Sequence, residues 1–135
     1  LIPWLYQAGV TFLAGTDAGY LNSYNYPGIG LHDELAMMVH YGLPIHEALK
    51  ASIENGPAFF NQSKDFGSVE KNKIADLMIL NANPLSDILN TKKINAIIHK
   101  GEYLNRDVLD AMLTTIEQKV NKKVAEENNL PNNHF

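Results

Sequence analysis

The sequence predicts an α/β fold, and three observations carry that prediction. A continuously apolar run, Val10-Thr11-Phe12-Leu13-Ala14, ends at Gly15 and reads as a strand buried on both faces, as in a parallel sheet. Before it, Leu1, Leu5 and Ala8 fall at helical spacing and Gly9 supplies a stop, so helix, tight turn and strand follow as in the second half of a βαβ unit. Further on, amphipathic helical segments give way to short strand-like runs.

The first strand leads into Gly15-Thr16-Asp17-Ala18-Gly19. An acidic residue just past the end of such a strand sits where α/β barrels keep their chemistry. Asp17 is therefore the first candidate for function. Aspartate beside glycine is also ordinary turn or cap chemistry, and this stretch alone leaves both roles open.

Composition narrows the classes. The chain has 135 residues, a formal net charge of -4 and 45% hydrophobic residues, as a soluble globular domain does. That length can bury one core, whereas a complete eight-stranded barrel takes about 250 residues. A mildly acidic chain without a basic cluster argues against nucleic acid as a partner. No apolar run approaches the roughly 18 residues of a membrane span. Leu1-Ile2-Pro3-Trp4 carries neither an initiator Met nor a basic region, so it is not a signal peptide and is expected to lie inside a longer chain. The absence of cysteine excludes disulfides, thiolate metal ligands and a thiol nucleophile. It leaves the compartment open, with the cytoplasm favoured.

The stretch from Tyr20 to Gly30 is rich in Asn, Tyr, Gly and Pro and reads as a loop with a Pro27-Gly28 turn. Loops after barrel strands line substrate sites, and the tyrosines here, Tyr20 first, suit a contact surface. Packing of the loop on its own aromatics is the alternative. Leu31 to Tyr41 reads as a helix with Leu31, Leu35, Met38 and Val39 on one side and Asp33 and Glu34 in a first turn that suits acids. Gly42 ends it. Pro44 opens a second helix, Ile45 to about Asn55, with Ile45, Ala48, Leu49, Ser52 and Ile53 inward. Gly56-Pro57 breaks that pattern, and one short turn over Ala58-Phe59-Phe60 follows.

From Gly67 the periodicity turns strand-like. Ile74 to Leu80 and Ile94 to His99 are strand candidates, with a turn and a short helical piece over Asn83 to Ile88 between them. Lys100-Gly101 makes a hairpin of Ile94 to Leu104. Arg106 to Glu127 forms an amphipathic helix with Asn105 as N-cap, and 128–135 is a frayed tail. So few strands cannot close a sheet alone. More of the parent chain, a second copy or the last helix is expected to cover them.

The ordered fragments carry a family resemblance. Ala14-Gly15-Thr16-Asp17-Ala18-Gly19 is followed by Pro27-Gly28, Leu31-His32-Asp33-Glu34-Leu35 and Gly42-Leu43-Pro44-Ile45-His46-Glu47-Ala48-Leu49-Lys50-Ala51. Glu54-Asn55-Gly56-Pro57-Ala58 and Gly67 through Leu77 complete the series, ahead of Leu80-Asn81-Ala82-Asn83-Pro84-Leu85. In this order, over about residues 5 to 113, the chain resembles the C-terminal part of the amidohydrolase superfamily, especially its imidazolonepropionase-like and metal-dependent prolidase-like branches.

The resemblance implies the C-terminal portion of a (β/α)₈ barrel, with residues 1–63 as its last strand and closing helices. Residues 64–104 would be part of a small accessory β-sandwich, and 105–135 a C-terminal helix and tail. Asp76, in the Lys73-Ile74-Ala75-Asp76-Leu77 run, would be scaffold. Asp17 would be both metal ligand and catalytic acid–base, beside a divalent metal, commonly zinc, in the full-length parent. His32, just after the strand-eight loop, would reach a substrate carboxylate or carbonyl; a locally bonded helix residue is the alternative. His40, His46 and His99 read as surface or packing residues.

Two departures bound the reading. The family's His-x-His pair and its mid-barrel ligands are missing, and the five histidines are scattered. One carboxylate does not make a catalytic zinc site, which takes about three protein ligands, so these residues alone are expected to be silent. The expected activity is thus that of a parent hydrolase cleaving amide, cyclic amide or dipeptide C–N bonds, with a small-molecule substrate. It would form homo-oligomers or associate with the rest of its chain. A non-catalytic scaffold module, or a deaminase or deacetylase of the same superfamily, are the alternatives.

Overall fold

The computed structural model describes residues 1–19 and 26–128. Helix α1 (Ile2–Gln7) opens the chain, with Pro3 in the first turn, where its missing N–H needs no partner. A segment without helix or strand, residues 10–16, comes next. The strand expected at Val10–Ala14 is therefore not formed. A strand exists only through its neighbours, and here the backbone bonds go to helices instead: Ala14 N–H donates to Ala51 O at 3.0 Å.

Helices α2 (Ile29–His40), α3 (Ile45–Ile53) and α4 (Asn55–Phe59) follow. Leu43 N–H returns to Met38 O and Gly42 N–H to Val39 O, both at 3.0 Å, which is the Schellman pattern of bonds. Gly42 takes a φ of 98°, and a Cβ there would stand 2.7 Å from Pro3 Cγ, so the α2–α3 corner packs directly on α1. Because α2 starts at Ile29, two residues before the expected Leu31, Asp33 and Glu34 lie beyond its first turn. Both take tertiary partners rather than serving the helix dipole. Pro57 sits within the first turn of α4, so the Gly56-Pro57 step begins a short helix instead of only ending one.

The buried centre is Leu35 and Ala48 from helices α2 and α3, Leu43 from the corner between them, and Ile88 from a 3₁₀ turn over Ile88–Lys92. Asp87 caps that turn, its Oδ1 accepting from Leu89 N–H at 2.9 Å. Asn90 and Thr91 are buried but satisfied: Asn90 Nδ2 donates to Asn83 O and Thr91 Oγ1 to Ile88 O, each at 2.8 Å.

Strands β1 (Leu77–Leu80), β2 (Ile94–His99) and β3 (Glu102–Leu104) form one antiparallel sheet in that order. β1 is shorter than the expected Ile74–Leu80 because Asp76 N–H bends back to Ile74 O. The hairpin turn has positive φ at Lys100 and Gly101, 50° and 86°, as a two-residue type I′ turn requires. Asp76 secures it, accepting from Lys100 N–H at 2.7 Å while His99 Nδ1 lies 3.2 Å away. That is a scaffold role.

Helix α5 (Arg106–Asn128) starts from Asn105, whose Oδ1 accepts from Val108 N–H at 3.0 Å. Arg106 Nη1 ties its first turn to Ile94 O on β2 at 3.1 Å. Every residue from 110 to 126 is exposed, so its apolar stripe is uncovered. Among the described residues, no helix is long and apolar enough to cross a membrane.

Candidate active-site turn

Asp17 is carried by the segment 10–16, and three bonds from the helices fix that segment. Asn55 Nδ2 donates to Phe12 O at 2.8 Å, Ala14 N–H donates to Ala51 O, and Gly15 N–H donates to Glu34 Oε1 at 2.9 Å. Two residues later the chain turns. Asp17 has a φ of 51°, a left-handed conformation that aspartate tolerates better than most residues, and its side chain is exposed. Ala18 N–H donates to Thr16 Oγ1 at 3.3 Å across this turn.

His32 stands elsewhere. It lines a largely apolar cavity of about 560 Å³ between α2, α3 and β1, together with Leu49 and Leu77, and none of residues 10–19 lines that cavity. Its Nδ1 is buried without a hydrogen-bond partner among the described residues. Burial holds the imidazole below its ordinary pKa, the Lys92 charge lowers it further, and Asp33 opposes the shift. Lys92 Nζ pairs with Asp33 Oδ1, linking the 3₁₀ turn to α2. The structure thus does not bring His32 and Asp17 into one cavity. Tyr20 lies outside the described residues.

The donor set for a metal is incomplete here. Among the described residues, no group of three or more His, Asp or Glu side chains could hold an ion. Asp17 alone does not fit a zinc centre of about three protein ligands.

Glu34 is the residue that sequence reasoning misplaced. It shares the inward spacing of Leu31, Leu35 and Met38, an odd place for a carboxylate. That pattern was the available signal. The structure shows the reason for it: the side chain is half-buried, with Oε1 on Gly15 N–H and Oε2 buried without a partner among the described residues.

The model of the amidohydrolase family matches residues 2–120. The chain belongs to the amidohydrolase family. Solved structures agree with this mixed α/β assignment. The amidohydrolase chain is similar to a candidate prolidase from Bifidobacterium longum, with 30% identity and a TM-score of 0.68 over 84% of this chain and 29% of that one. It is similar to a Xaa-Pro dipeptidase solved with methionine bound in its active site, with 27% identity and a TM-score of 0.65 over 77% and 24%. Molinate hydrolase shares the fold, with a TM-score of 0.68 at 22% identity over 76% and 25%. This amidohydrolase chain therefore spans about a quarter of the length of each of these structures. No curated protein sequence matches it.

Proposed function

We propose that this chain supplies the proton-transfer carboxylate of a hydrolase that cleaves C–N bonds in an amide, cyclic amide or dipeptide. Asp17 takes a proton from the attacking water as its oxygen bonds to the carbonyl carbon. The same carboxyl then delivers that proton to the nitrogen as the C–N bond breaks, leaving a carboxylic acid and an amine. A dipeptide is the favoured substrate class, because the prolidase-type structures resemble the chain at 27% and 30% identity.

Position carries this reading. Asp17 is exposed at the end of a segment that three hydrogen bonds fix, inside the stretch matched to the amidohydrolase family. Activation of the water by a divalent metal, zinc in the family reading, would need donors from outside the described residues. In this proposal Tyr20 and His32 take the substrate-binding roles. His32's place in the apolar cavity limits it to substrate that extends there.

The test is Asp17→Asn in the full-length protein that contains this chain. Loss of an acid–base group lowers kcat by about 10²- to 10⁴-fold, with an unchanged melting curve. Full turnover by the variant would overturn the reading and favour a scaffold module.

A further inference from the structure

We propose that Glu34 is a positioning residue, which holds the Asp17 turn in place by accepting the Gly15 N–H. The proposal rests on the reading of Asp17 as the proton carrier.

The geometry has three parts. The Gly15–Glu34 bond is 2.9 Å long, and it joins residues 19 apart in sequence, so the turn is anchored to α2 rather than to its own loop. Among the three bonds on the segment, it lies nearest to Asp17 and has an ionisable acceptor, and charge-assisted bonds are the stronger kind. Asp17 itself takes a left-handed φ, which persists only when the surrounding structure holds it. Without Glu34, the Gly15 N–H would lose this acceptor, and glycine is the residue whose backbone rotates most freely. Glu34 occupies an inward position of α2 at the expense of an apolar side chain, and it leaves Oε2 buried without a partner among the described residues. A purely structural site would accept Leu or Met at this position more readily.

The experiment uses the full-length protein and the variants Glu34→Ala, Glu34→Gln and Asp17→Asn, reading Gly15 amide exchange and steady-state kinetics. In Glu34→Ala, Gly15 exchange rises by about 10- to 100-fold, the scale of a lost bond to a charged acceptor. Its kcat falls by a similar factor while KM is unchanged, because the proton carrier is displaced and substrate contacts are not. Glu34→Gln keeps an acceptor oxygen and recovers most of both. Unchanged Gly15 exchange in Glu34→Ala overturns the proposal, and so does a Glu34→Gln variant as impaired as Glu34→Ala. If Asp17→Asn keeps full turnover, the functional reading fails by itself, and Gly15 exchange still decides whether Glu34 holds the turn.

Discussion

Asn55 Nδ2 donates to Phe12 O at 2.8 Å, joining the first residue of α4 to a segment 43 residues earlier. This side chain does the work that a neighbouring strand would do, since it satisfies a carbonyl that has no ladder partner. Asn55→Ala should lower unfolding free energy by roughly 0.5–1.5 kcal/mol, the net worth of a half-buried hydrogen bond. Asn55→Asp should cost at least as much, because an ionised carboxylate cannot donate to a carbonyl. Urea unfolding of the three proteins checks this. Equal midpoints would show that the segment is held by other contacts.

Pro3 and Gly42 meet at the α1 to α2–α3 corner, where a glycine is required twice over. Its φ of 98° disfavours any L side chain, and a Cβ would stand 2.7 Å from the Pro3 ring. Gly42→Ala should therefore destabilise by about 1–3 kcal/mol. Gly101→Asn is the control. Its φ is 86°, but nothing stands within 4 Å of a new Cβ, and asparagine tolerates left-handed backbone. Thermal melts should show the larger loss for Gly42→Ala. A reversed order would mean that Pro3 does not pack there.

Local patterns made much of this fold legible. The three- and four-residue steps of α2, α3 and α5, the Asn105 cap and the Lys100-Gly101 hairpin all depend on residues close in sequence. What failed depends on distant partners. Val10–Ala14 has the composition of a buried strand, yet strand pairing needs neighbours that local sequence does not contain. Asp33 and Glu34 looked like first-turn acids, whereas Lys92 and Gly15 claim them from 59 and 19 residues away. Asp17 stood out as a candidate because its glycine-flanked turn is a local feature. Its anchoring was not.

The exposed apolar surface carries an expectation about assembly. On α5, Leu113 is 61% and Ile116 59% exposed, and Val120 continues the same stripe. An isolated helix with Thr114, Thr115 and Asn121 in its interior is marginal in water, so a covering surface should add to its stability. Exposed stripes of this kind also mark association sites. Light scattering of the 135-residue chain should thus report an oligomer, and Leu113→Glu with Ile116→Glu should shift it toward smaller species. A stable, well-folded monomer would contradict the expectation.

His32 should give the chain a specific acid sensitivity. Burial and the Lys92 charge hold its folded pKa below the ordinary value of 6.5, so the unfolded chain takes up the proton first as pH falls. The stability that comes from a neutral His32 is complete above about pH 6.5 and is lost as pH drops toward the lower folded value. Lys92→Met removes one of the two lowering causes and leaves Asp33 to favour the imidazolium, so it should raise the His32 pKa and flatten the loss. His32→Leu, which replaces an unpartnered ring nitrogen with apolar surface in an apolar cavity, should flatten it further. The other histidines are common to all three proteins, so differences between the curves isolate His32. Urea unfolding at steps between about pH 5 and pH 7.5 measures the slopes. Identical slopes in the parent chain and His32→Leu would show that His32 is charged as readily in the folded state as in the unfolded one.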